Sequence, residues 1–161
     1  MDEASYERFD TNAGFHAAIS RLLAQPGREL RIFDPDGVAL RLNDSARVAE
    51  FERFLLASRT RRLYLVLHDT EPLVRYCPRL MSLLARFTHA VQINRTQEQI
   101  RELQDAFLVL DSQHYVRRPV ASFYRGAIGL GDESESQAMR QRFADIWDQS
   151  FPAVSSTVVG L

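Results

Sequence analysis

The sequence predicts a mixed α/β domain whose sheet is mostly parallel and carries helices on both faces. Three observations predict it. Short apolar runs bounded by turn residues alternate three times with stretches of helical periodicity. The runs Arg62 to Leu67 and Ala106 to Leu110 are apolar almost throughout, as strands covered on both faces must be. Two further extended stretches and an amphipathic helix close the chain. With 161 residues, 45% of them hydrophobic and 25% charged, the chain has the size and composition of one ordinary folded domain over residues 1–161. Residues 1–12 and 154–161 are candidate loose tails.

Taken in order, Phe15, Ala18, Ile19, Leu22 and Leu23 recur at helical spacing between Ala13 and Ala24, and Gln25-Pro26-Gly27 stops that helix. Glu29 to Asp34 alternates and ends in the turn-forming Asp34-Pro35-Asp36-Gly37. Asn43 or Asp44 can cap a helix whose apolar face is Val48, Phe51, Phe54, Leu55 and Leu56. After the buried run that ends at Leu67, Glu71-Pro72 opens another helix, and Pro78 breaks or restarts it before Leu80, Leu83, Leu84 and Phe87. His89 to Asn94 reads as a strand, Thr96 to Gln99 as the start of a short capped helix, and Ala106 to Leu110 as the next strand. Tyr115 to Val120 and Phe123 to Leu130 read as a hairpin with glycines at 126 and 129. Ser134 leads a helix with Met139, Phe143, Ile146 and Trp147 on one stripe, and the tail from Ser155 is an edge strand or loose chain.

All 20 basic residues are arginine. Without lysine there is no Schiff base, no phosphate-loop lysine and no Ser-Lys dyad. The exclusive use of arginine reads as the composition of a GC-rich genome. A net charge of −1, with acids and arginines well mixed, builds in no general attraction to nucleic acid or to an anionic membrane. The single cysteine, Cys77, cannot form an internal disulfide, and with no signal-peptide pattern or long apolar run the expected location is a reducing cytoplasm. No cofactor is expected.

Ligands of open α/β sheets bind beyond the carboxyl ends of the strands, and those ends carry Asp34 and Asp36, His68 and Asp69, then Asn94 and Arg95. Adjacent His68 and Asp69 point apart and no second histidine has ligand spacing, so no metal site is expected; capping and turn bonding account for the aspartates. Cys77 inside a helical pattern reads as packing. The glycines at 126, 129 and 131 sit in a hairpin and form no phosphate cradle. Arg117 and Arg118 could clamp a phosphate bidentately, against the plainer reading of a solvated face.

Leu103 to Asp111 reads Leu-Gln-Asp-Ala-Phe-Leu-Val-Leu-Asp, and Phe143 to Trp147 reads Phe-Ala-Asp-Ile-Trp. In this order of elements, and in those two segments, the chain resembles one half of the phospholipase D-like fold. That family carries a His-x-Lys-x-x-x-x-Asp signature on a strand and a closing Phe-x-x-Ile/Leu-Trp pattern. The resemblance places Asp111 on the signature aspartate, Gln104 on the histidine and Ala106 on the lysine. In the family the histidine attacks phosphorus and the lysine stabilises the phosphate charge. Glutamine cannot form a phosphohistidine, and alanine offers no charge. The family's Gly-Ser-x-Asn segment is also unrecognisable at Gly126-Ala127-Ile128-Gly129. His114 does not substitute, because arginine stands three positions on and alanine seven.

The resemblance therefore implies a non-catalytic phospholipase D-like domain, a protein-interaction or regulatory module of a bacterial cytoplasmic protein. Single-half members resemble symmetric dimers in which each half supplies part of one site, so a homodimer is implied, or pairing with another protein domain. The surface near Gln104, Asp111 and His114 would then be covered. The competing expectation is a phosphate or nucleotide binder, or an altered phosphodiester enzyme, built from Arg95, Arg117, Arg118, Asp111 and His114. A nucleic-acid module is the third, opposed by the balanced charge and by the lack of a basic aromatic stripe in the sequence.

Overall fold

In a computed structural model, residues 4–154 are described, so the tail from Ser155 falls outside the described residues. The elements run in the order β1 (Ser5–Phe9), α1 (Asn12–Leu23), β2 (Glu29–Asp34), α2 (Ser45–Leu56), β3 (Arg62–Leu67), α3 (Glu71–Tyr76), α4 (Pro78–Arg86), β4 (Val91–Thr96), β5 (Ala106–Leu110), β6 (His114–Arg118), β7 (Gly126–Leu130), α5 (Glu133–Asp148) and β8 (Ser150–Val154). Short 3-10 turns lie at Val38–Leu40 and Glu98–Ile100. The strands form one open sheet in the order β1-β7-β6-β5-β2-β3-β4-β8.

The fold is mixed α/β with helices on both faces, but its strand directions depart from expectation. Only β2–β3 and β3–β4 pair in parallel; every other pairing is antiparallel. The reason lies in the Gln97–Asp105 connection. A parallel return needs a crossover of roughly a dozen residues or more, usually a helix, and this segment forms one 3-10 turn. The chain therefore re-enters at the end where β4 finished, and β5 runs back along β2, with Phe33 opposite Phe107.

Two edge strands were not read from the sequence. Ser5–Phe9, placed in a loose tail above, pairs along its whole length with β7. Its sequence exposes four of five residues, the composition of a blunted edge. At the other edge β8 carries Pro152, which an outermost strand tolerates. The central strands match the reading closely. Leu30, Ile32, Leu63, Leu65, Leu67, Leu108 and Leu110 point to one face, under α1, α2 and α4. Phe33, Val66, Phe107 and Val109 point to the other, under Met139, Phe143 and Ile146 of α5. Trp147 stacks on Phe143 and meets Tyr64 edge-on.

Local chemistry fixes the helix ends. Thr11, Asp44 and Asp132 each accept an amide from the first turn of the helix that follows. Pro78 opens α4 immediately after α3 ends, which accounts for the break. Leu56, assigned above to the buried stripe, is exposed.

Candidate functional site

The carboxyl ends of β2, β3 and β4 meet the start of β5 and the end of β6. Asp34 ends β2 and is buried, and there its carboxylate accepts the Gly37 amide at 2.7 Å and the Asp36 amide at 3.3 Å. It also forms an ion pair with Arg118, both side chains being 2% exposed. Arg118 is held by more than the carboxylate: its guanidinium donates to the Ala121 carbonyl at 2.7 Å and lies 4.4 Å from the centre of the Phe15 ring. Burial pushes the Asp34 carboxyl up, opposed by the Arg118 charge and the two amides.

Ala106 is central to this arrangement. It stands opposite Arg118 on β6, and one register step before Phe107, which faces Phe33. Asp34, Ala106 and Arg118 thus occupy one row across three strands and share the α1 face. The ion pair spans the methyl group of Ala106. A longer side chain there would enter the space that the guanidinium crosses.

His68 is held as firmly. Its Nε2 lies 2.8 Å from the Leu103 carbonyl, and its Nδ1 lies 2.8 Å from the hydroxyl of buried Thr96. A carbonyl only accepts, so Nε2 carries a proton, and in the neutral ring the Thr96 hydroxyl donates to Nδ1. Phe33 meets the ring edge-on. Arg95 donates to the His68 carbonyl at 3.2 Å, and Arg101 donates to the Thr96 carbonyl. Gln104 is exposed, and its carbonyl accepts the Ala121 amide at 2.7 Å.

The other sequence-derived residues lie elsewhere. Asp111 stands at the far end of β5, roughly 20 Å from Gln104 at about 3.3 Å per residue. With φ of 53°, it accepts the Arg28 amide at 3.1 Å and the Glu29 amide at 2.9 Å, tying the β5 exit to the β2 entrance. His114 is buried at that same far end and accepts the Gly131 amide at 2.9 Å. Gln104, Asp111 and His114 therefore do not form one surface, because β5 separates the first from the other two. Arg117 faces the opposite side of the sheet from Arg118. Its guanidinium is exposed and makes no ion pair or hydrogen bond among the described residues.

One cluster escaped the sequence reading. His16 of α1 accepts from Arg47 of α2 at 2.8 Å, and Arg47 also pairs with Glu50. Burial, then the charges of Arg41, Arg47 and Arg118, bring His16 down to about 4. No local motif announces this, since the partners come from separate helices. Among the described residues no group of three or more His, Cys, Asp or Glu could hold a metal ion, and no helix is long and apolar enough to cross a membrane.

Residues 11–156 match the family described as Domain of unknown function (DUF7931). No curated protein matches the sequence. Among solved structures, the chain is similar to TrmBL2, an archaeal chromatin protein whose structure shows a novel mode of DNA binding, with TM-score 0.66 and 11% identity over 92% of this chain and 54% of that one. It therefore spans about half the length of TrmBL2. It is also similar to Nuc, a phospholipase D family member from Salmonella typhimurium, with TM-score 0.65 and 12% identity over 95% of this chain and all of that one. NucT from Helicobacter pylori matches with TM-score 0.57 and 8% identity over 94% of this chain and all of that one. At such identities the likeness is one of fold, and the fold is phospholipase D-like.

Proposed function

The chain belongs to the DUF7931 family, and from that premise we propose that it is a non-catalytic phospholipase D-like domain acting by binding, as a protein-interaction or regulatory module of a bacterial cytoplasmic protein. The observation that carries this reading is the ion pair across Ala106. Phosphoryl transfer by the family's route needs a nucleophile and a free cation at the start of β5. Gln104 has no nucleophilic nitrogen, and Ala106 has no charge. The nearest arginine, Arg118, is committed to Asp34 and Phe15. His68, the histidine at this end of the sheet, has both ring nitrogens in hydrogen bonds. The alternative of an altered phosphate site draws on Arg95, Arg117, Arg118, Asp111 and His114. Arg118, Asp111 and His114 are engaged within the fold, Arg95 donates through Nε to the His68 carbonyl, and Arg117 makes no ion pair or hydrogen bond through its guanidinium among the described residues.

The surface around exposed Gln104 is the proposed contact with a second copy or another domain. Two assays test the reading on the whole chain. Sedimentation should show an assembly that Gln104→Arg weakens, and bis(p-nitrophenyl) phosphate should not be turned over. Assembly unaffected by Gln104→Arg, or turnover lost on His68→Ala, would overturn it.

A further inference from the structure

A groove of about 670 Å³ lies on the α5 side of β1, β7 and β6, the opposite face of the sheet from the Asp34–Arg118 pair. Its construction follows from the register. Tyr6, Gly129 and Tyr115 form one row across the three strands, and Arg8, Ala127 and Arg117 form the next. The central strand contributes only glycine and alanine, so its floor is low between two walls about 9.5 Å apart, two strand spacings. Gly129 cannot carry a side chain: a Cβ there would stand 2.3 Å from Tyr115 Cε1, so the Tyr115 ring lies over it. Arg125 and Phe123 close one end, with the guanidinium 5.8 Å from the ring centre.

The groove has a chemical polarity. Arg8 and Arg117 have no ion pair or hydrogen bond through their guanidinium groups among the described residues. They face one another across Ala127. At the Tyr115 end stand Asp132 and Glu135 from the start of α5. Their charges, with burial as the main cause, push Tyr115 up to about 12. Tyr6, 59% exposed, stands beside them, and Phe123, 55% exposed, lies at the opposite end. The site thus offers paired guanidiniums for an anion, aromatic faces for a planar ring, and carboxylates for that ring's N–H donors.

We infer that this groove binds a nucleotide unit, its phosphate between Arg8 and Arg117 and its unpaired base stacked on Tyr6 with an amino edge toward Asp132 and Glu135. Bidentate arginine suits phosphate, base stacking on aromatics requires no sequence, and bases present amino donors. A phospholipid headgroup has no planar ring to stack on Tyr6. An acidic peptide would be repelled by Asp132 and Glu135. The nucleotide could be free or part of a single strand, and the assay separates the two.

Labelled dA12 and rA12 are titrated with the full chain by fluorescence anisotropy at 50 and 150 mM salt, and AMP and ATP are added as competitors. Binding should weaken at least tenfold in Arg8→Ser/Arg117→Ser, with the log–log salt slope reduced by about 0.7, the share of the one phosphate that the two arginines hold. Tyr6→Ala should weaken it about tenfold, and Ala127→Phe, which fills the floor without changing charge, should abolish it. Arg53→Ser on the opposite face should leave it unchanged. Displacement by AMP or ATP assigns the site to free nucleotide, and lack of displacement assigns it to the strand. No binding of any probe, or binding that survives both the double substitution and Ala127→Phe, would overturn the inference. Gln104 does not line the groove, and none of these substitutions touches it, so failure here leaves the reading of its surface standing.

Discussion

Arg117 and Arg118 are neighbours in sequence and opposites in role. Arg118 points under α1, loses its water and is bound by a carboxylate, a carbonyl and an aromatic ring. Arg117 points under the edge of α5, stays exposed and faces Arg8 across a groove. Strand alternation alone separates them. The difference teaches where this protein keeps unused binding capacity. The carboxyl end of the parallel strands, where a ligand is expected in such a sheet, is internally satisfied. The antiparallel half holds Arg8 and Arg117, which make no ion pair or hydrogen bond through their guanidinium groups among the described residues.

The contrast breaks most visibly by deleting one partner of the buried pair. Asp34→Ala leaves Arg118 charged and unpaired, which costs about 3–5 kcal/mol for a buried pair. Urea unfolding should show a lower midpoint with an unchanged slope. Arg117→Ala, one residue from the other partner, should stay within about 0.5 kcal/mol. Equal effects would erase the distinction.

Ala106→Lys sharpens the comparison from the other side. It supplies the lysine that the proposed match to the phospholipase D-like signature calls for but places a long cationic side chain beneath Arg118, and overpacking of this kind costs about 1–3 kcal/mol. The variant should unfold earlier, and combined with Gln104→His it should still not turn over a phosphodiester. Turnover at native stability would show that the ion pair does not occupy the lysine's space.

The smallest effect is one of pH. His16 titrates near 4 in the folded chain, against an ordinary 6.5. Between those values the unfolded chain takes up a proton that the folded chain refuses, so stability is full above about 6.5 and falls as pH drops toward 4. The ring is only partly buried, and solvent screening reduces the contribution to about 1–2 kcal/mol. His16→Gln should flatten the midpoint against pH over this window, and an unchanged profile would remove His16 as its source.

The legible parts of the fold were those whose burial is written locally. β2, β3 and β5 show their apolar runs with sharp turn signals on either side, and their bounds follow from those runs. β4 begins two residues later than read, because the Thr88-His89-Ala90 stretch belongs to the turn after α4. β1 and β8 were not legible, since an edge strand can be polar on both faces or hold a proline. The parallel bias failed because direction depends on what the connecting segment can span. Of the candidate residues, Asp34, His68 and Arg95 were found by the strand-end rule, and Arg118 by its place beside Arg117. The partner assignments were hidden: Asp34 and Arg118 are far apart in the chain, as are Tyr6 and Arg8 from Arg117 and Phe123. A sequence without a basic aromatic stripe acquires one only when β1 pairs beside β7.

Asp34 and Arg118 hold one another across Ala106, and a double-mutant cycle measures that coupling. Asp34→Leu, Arg118→Met and the double variant are unfolded in urea and compared. Each single substitution should cost about 3–5 kcal/mol, and the double variant, with no charge left buried, should lie closer to the parent than either single. Small, additive single effects would contradict the account, because the two charges would then not be holding one another across Ala106.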